Sequence, residues 1–90
     1  MAAKLYAISY DIPSDNRRVK VANALKSYGE RVQYSVFECW LTAKELKTLK
    51  ERLDKLHEAH EDSIRFYPTS DAVAILGVGA VSEETGLMIV

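Results

Sequence analysis

An α+β sandwich, with two helices laid on one face of an antiparallel sheet, is the architecture this sequence predicts. Three observations lead there. Strand-like and helix-like runs follow one another in the order strand, helix, extended segment, helix, strand, strand. Both helical runs carry start signals at their N-terminal ends. The chain has 90 residues, enough for one domain and one core but with little margin, so self-association is an expected supplement.

The first strand is Leu5 to Ile12, stopped by Pro13, which has no N–H for a ladder. Tyr6, Ile8 and Tyr10 point one way and Leu5, Ala7, Ser9 and Asp11 the other. Both faces are mostly apolar, which predicts a central strand. A helix follows from about Asp15 to Tyr28. Ser14 caps it, and Asp15 suits the positive end of its dipole. Val21, Leu25 and Tyr28 form its buried stripe, and Gly29 is expected as its C′ glycine. Arg31 to Leu41 is extended and long for one strand, so a bulge or tight turn is expected near Gln33 to Ser35.

The second helix has the clearest signal. Thr42 and Glu45 form a capping box, and Leu41 and Leu46 have the spacing of a hydrophobic staple. Leu46, Leu49, Leu53 and Leu56 share one face, while Lys47–Glu51 and Glu51–Lys55 are spaced to pair on the other. Its end is expected near His57 to His60. Ser63 to Tyr67 is a strand halted by Pro68, and Ala72 to Val78 is expected to pair with it as a hairpin. The apolar terminus Gly86 to Val90 should add a strand to a sheet edge, so residues 80–90 are expected to pair at a dimer or partner interface. Residues 1–90 then form one ferredoxin-like domain. The sheet face without helices would be adhesive, given Tyr6, Tyr34, Phe37, Trp40 and Phe66 on strands, and a face-to-face homodimer would cover it.

Composition narrows the function. A net charge of −1 argues against unaided coating of nucleic acid, so any such contact is local or shared with a basic partner. Cys39 is the single cysteine, which excludes an intrachain disulfide and fits a reducing, cytoplasmic compartment. The N-terminal apolar run is too short for a signal peptide, and no run approaches the roughly 20 residues of a membrane span.

The chemistry concentrates at Tyr10-Asp11-Ile12-Pro13 and the following Arg17-Arg18. This places one carboxylate at a strand end, with two guanidinium groups in the next helical turn. The simpler reading of Asp11 is a strand-end aspartate accepting bonds from the Ser14 or Asp15 amides. One carboxylate holds Mg²⁺ poorly, but two copies of Asp11 near a two-fold axis could share the ion and a phosphate. Cations in a first helical turn run slightly against the dipole. Arg17 and Arg18 flank the buried stripe and are expected to reach toward Asp11, for salt bridging or phosphate binding. Lys20 and Arg31 could extend a basic rim. Tyr10 and Phe37 are more simply core residues than base-stacking platforms, and Ser35 is a weak ligand. His57 and His60 lack a third ligand, which makes a helix-end role the better expectation than zinc.

Tyr10-Asp11-Ile12, Arg17-Arg18, Tyr28-Gly29 and the string Arg31-Val32-Gln33-Tyr34-Ser35-Val36-Phe37-Glu38 together resemble the CRISPR-associated protein 2 family, from Leu5 to about Leu76. The resemblance implies a ferredoxin-like homodimer in which Asp11 of each chain binds Mg²⁺ at the interface, with Tyr10 beside it at the catalytic position. It implies a metal-dependent nuclease acting on single-stranded RNA or double-stranded DNA. It also implies partnership with the CRISPR-associated protein 1 integrase in capturing new spacers for antiviral defence. Arg17, Arg18, Arg31, Ser35 and Phe37 match positions tied to the nucleic-acid site in relatives. A non-catalytic alternative stands beside it: a dimeric scaffold that bridges integrase dimers and touches the DNA backbone.

Overall fold

A computed structural model describes residues 2–69 of the chain. Its elements run β1 (Lys4–Asp11), α1 (Asp15–Lys26), β2 (Gly29–Gln33), β3 (Val36–Leu41), α2 (Ala43–Leu56) and β4 (Ser63–Pro68). The four strands form one antiparallel sheet in the order β2-β3-β1-β4, so β1 is central, as its two apolar faces predict. This is the ferredoxin-like arrangement. The expected strand at Ala72 to Val78 and the terminal segment 80–90 lie outside the described residues.

The core lies between the sheet and the helices. Ile8, Phe37, Val21, Leu25 and Leu49 are fully buried there, with Tyr10, Leu41 and Leu53 close to it. Alternation along β1 and register with its neighbours assign the two faces. Ile8 pairs with Phe37 and with Phe66, and all three face the helices. Tyr6 also packs against that core. Of the aromatic residues expected on the bare face, Tyr6, Phe37 and Phe66 therefore belong to the core. Trp40, opposite Leu5, is on the helix-free face, and Tyr34 stands at a turn. The pleat decides this: neighbouring residues on one strand serve opposite faces.

The helix starts form as their caps predict. The Ser14 hydroxyl accepts the Arg17 N–H at 3.3 Å. In α2 the box is reciprocal: the Thr42 hydroxyl accepts the Glu45 N–H at 3.2 Å, and the Glu45 carboxylate accepts the Thr42 N–H at 2.9 Å. Lys47, Glu51 and Lys55 close no ion pair among the described residues. On an exposed face, the entropy of two long side chains offsets their attraction. α2 ends at Leu56, and His57 caps it, its N–H reaching the Leu53 carbonyl at 3.0 Å.

Two local expectations change. α1 stops at Lys26 rather than Tyr28, because the Ser27 and Tyr28 amides turn back in a tightened last turn to the Ala24 and Leu25 carbonyls. Gly29 is then no helix cap but the first residue of β2, opposite Cys39. A side chain at Gly29 would put a Cβ 2.1 Å from the Glu38 carbonyl oxygen and 2.6 Å from Cys39 Sγ. The long extended segment does divide where expected. Tyr34 and Ser35 form the turn, and the β2–β3 register shifts between Arg31 and Gln33.

Candidate functional site

The C-terminal end of β1, the β2–β3 turn and the start of β4 converge on one groove of about 520 Å³. The turn is tied to β1 by two bonds. The Tyr10 N–H donates to the Ser35 carbonyl at 3.0 Å, and the Tyr10 hydroxyl donates to the Tyr34 carbonyl at 3.4 Å. Tyr10 itself is buried, its ring 6.2 Å from that of Phe37. It thus builds the wall of the groove and holds the turn against the strand that carries Asp11.

Asp11 is exposed at the strand end and pairs in register with Ser63. The bonds expected from the Ser14 and Asp15 amides are not made. Ser14 instead uses its side chain on Arg17 and its carbonyl on Arg18 as the α1 cap. Among the described residues, no side-chain hydrogen bond or ion pair engages the Asp11 carboxylate. A strand-end acid with no structural partner is available for a ligand.

The arginines divide. Arg17 turns away from Asp11 and grips Asp62 through two parallel bonds, Nε to Oδ2 at 2.8 Å and Nη2 to Oδ1 at 3.0 Å, with Glu61 at 3.6 Å. The Asp62 side chain is fully buried and also accepts the Glu58 N–H at 2.8 Å. Arg17 hydrogen bonds, then the Glu58 amide, hold its carboxyl below the ordinary carboxylate value. Arg17 is therefore a tie between α1 and the loop before β4. Arg18 lines the groove, donating to the Ile12 carbonyl at 2.8 Å and pairing with Asp15. Arg31 lies over the Phe37 ring, 5.4 Å from its centroid, and borders an adjoining hollow that shares Tyr10, Arg18 and Tyr34 with the groove.

Of the expected site residues, then, Asp11, Tyr10, Arg18 and Ser35 meet at one groove and Arg31 stands next to it. Arg17 is spent elsewhere, and Phe37 is 0% exposed in the core, supporting Tyr10 and Arg31 from beneath rather than offering a surface. The lining also includes Ser9, Ile12 and Tyr34 and, from β4, the three residues Ser63, Arg65 and Tyr67, none of them among the expected site residues. The three β4 residues pair with Asp11, Ser9 and Ala7 respectively, so they occupy the face that carries Asp11. The signal was present in the alternation Ser63-Ile64-Arg65-Phe66-Tyr67, but the partner strand had to be known before it pointed anywhere.

The donor set suits a hard cation in kind. Asp11 offers a carboxylate, and Ser9, Ser35 and Ser63 offer hydroxyl oxygens around it. It falls short in number within one chain. Among the described residues no three His, Cys, Asp or Glu side chains gather as a metal-holding group. One carboxylate is at the low end of what Mg²⁺ takes from a protein, and a second copy of Asp11 would supply another. His57 makes its expected helix-end contact, Nδ1 lying 2.9 Å from the Asp54 carbonyl. Cys39 is an interior thiol, pushed up to about 11 by burial first and by Glu38 second. Among the described residues no helix is long and apolar enough to cross a membrane.

Comparison with known proteins adds the following. A family model described as "CRISPR associated protein Cas2" matches residues 4–74. A Thermus thermophilus protein named CRISPR-associated endonuclease Cas2 2 is 53% identical over 83 residues, spanning 92% of each chain. A Synechocystis protein named CRISPR-associated endoribonuclease Cas2 3 is 56% identical over 66 residues, covering 73% of this chain and 72% of that one. A chain from a structure titled as a partial Cas6-RT-Cas1–Cas2 complex superposes with a TM-score of 0.66 at 34% identity, covering 74% of both chains.

Proposed function

The chain belongs to the Cas2 family of CRISPR-associated proteins, and from that premise we propose that it is a Mg²⁺-dependent nuclease that works beside the Cas1 integrase in spacer acquisition. The observation that carries the reading is the Asp11 carboxylate, exposed at the end of β1 and without a side-chain partner among the described residues, in a groove that also presents Arg18 and Arg65. The names of the relatives, an endonuclease and an endoribonuclease, support hydrolysis of a phosphodiester. The Cas1–Cas2 complex supports the integrase as partner.

Two copies facing each other across the helix-free sheet face would bring two Asp11 residues to one site. That face presents half-buried Ala7, Val36 and Trp40, a surface suited to burial against its own copy beside the groove. Asp11 from each chain would hold the ion, with serine hydroxyls nearby. Bound there, Mg²⁺ supplies charge stabilisation at the phosphoryl oxygens and lowers the pKa of a water. The chain's own contribution is positional. Tyr10 anchors the turn, Arg18 faces the phosphate from α1, and the exposed tyrosines Tyr34 and Tyr67 border the path of the strand.

The test is cleavage of labelled single-stranded RNA and double-stranded DNA with and without Mg²⁺, for the wild type and Asp11→Ala, both verified as folded. Loss of the metal's contribution, several kcal/mol, lowers the rate by roughly two to three orders of magnitude. Equal cleavage by both proteins, or none by either, removes the nuclease and leaves the scaffold. That second reading has its own support: among the described residues each chain contributes a single groove carboxylate, and the net charge is −1. In it the dimer sets a distance between integrase subunits, and the groove arginines touch backbone without reading sequence.

A further inference from the structure

We propose that Arg65 of β4 is a phosphate-binding residue of this groove, steadied by Tyr67. The inference deepens the nucleic-acid reading above and rests on it. Four arginines lie at or near the Asp11 end of the sheet, and their surroundings separate them. Arg17 is neutralised by Asp62 and Glu61. Arg18 is paired with Asp15 and the Ile12 carbonyl. Arg31 rests on the Phe37 ring. Arg65 is exposed, and among the described residues its one partner is the uncharged Tyr67 hydroxyl at 3.4 Å. It is therefore the groove cation with the least compensation.

Register puts it in a useful place. Arg65 pairs with Ser9, and Ser63, two residues back along β4, pairs with Asp11. Arg65 thus stands on the Asp11 face about 7 Å along the strand from the Asp11–Ser63 pair. A phosphate lying between them would meet a guanidinium fork on one side and the Asp11 site on the other. The Tyr67 contact limits the rotamers of Arg65 without consuming its charge, which is how a waiting phosphate ligand should be held.

The experiment is binding of fluorescein-labelled single-stranded RNA to the full chain in EDTA, where cleavage plays no part, over a range of salt concentrations. Wild type, Arg65→Ala and Arg65→Lys are compared, with sedimentation to read the oligomeric state. The expected result is weaker binding by Arg65→Ala. Its log K against log salt slope should be shallower by about 0.7 for each phosphate that is no longer neutralised. Arg65→Lys should recover the slope, since the charge returns, but only part of the affinity, since the fork does not. An unchanged slope in Arg65→Ala overturns the proposal. So does an absence of binding by the wild type at low salt. A shift of Arg65→Ala to a smaller oligomer overturns it too, by making Arg65 an interface residue. A wild type that binds through Arg65 yet cleaves nothing in Mg²⁺ would retain this site while removing the nuclease.

Discussion

Gly29 is tolerated at its position only because it has no side chain. The β2–β3 pairing brings the Glu38 carbonyl and Cys39 so near that an added Cβ overlaps backbone, not the tip of a flexible side chain. Gly29→Ala must push the strands apart, and it should cost roughly 3 kcal/mol, at the upper end for overpacking. Urea unfolding of the two proteins checks this. An unchanged midpoint would mean that β2 moves freely against β3. Asp62 is the second residue whose role is set by close partners. Its folded-state carboxyl lies below its unfolded value, so the Arg17–Asp62 tie is fully present above about pH 4 and is lost as pH falls through the lower folded value. Thermal midpoints measured from pH 6 to pH 2 should therefore fall more steeply for the wild type than for Asp62→Asn, whose amide has no such charge to lose. Parallel curves would show that the tie adds nothing to stability.

The two helices are secured differently. α2 has a reciprocal capping box at its start and Leu49 and Leu53 buried beneath it. α1 depends on the longer Ser14 bond and on small residues, Ala22 and Ala24, that let it lie close to the sheet beside Val21 and Leu25. Thr42→Ala removes the hydroxyl that accepts the Glu45 N–H, and it should cost about 1 kcal/mol. Equilibrium denaturation gives the value, and a loss below about 0.3 kcal/mol would place the stability of α2 in its packing alone. β4 depends on its pairing with β1 and on the Arg17–Asp62 tie just ahead of it. Because β4 carries Ser63 and Arg65 into the groove, that tie also sets the geometry of the proposed site.

At the scale of the whole molecule, the sheet separates two tasks. One face holds the helices and the core, and the other presents Asp11, Arg65 and Tyr67. A shared site between two copies predicts linkage between Mg²⁺ and stability, because an ion bound only by the folded dimer stabilises it. At a hundred-fold excess over Kd, Mg²⁺ should raise the thermal midpoint of the wild type on the order of 10 °C and leave Asp11→Ala unmoved. Differential scanning fluorimetry provides the reading at constant protein concentration. Equal shifts in both proteins would move the ion away from Asp11.

Local chemistry made much of this legible in the sequence. Pro13 ends β1, Ser14 and Thr42 cap the helices, and the leucine stripe of α2 faces inward, because each depends on neighbours within a few residues. Asp11 could be singled out for the same reason, as an acid at the boundary of strand and helix. What each side chain does with a distant partner was decided by tertiary structure. Arg17 lies six residues from Asp11 and 45 from Asp62, yet folding delivers it to Asp62. Phe37 resembles a site residue by position, but the pleat turns it into the core. Arg65 is unremarked in a one-dimensional reading and enters the groove only because β4 pairs with β1. Short-range rules determine caps, periods and breaks, whereas strand register, which couples residues far apart in the chain, determines which charges meet.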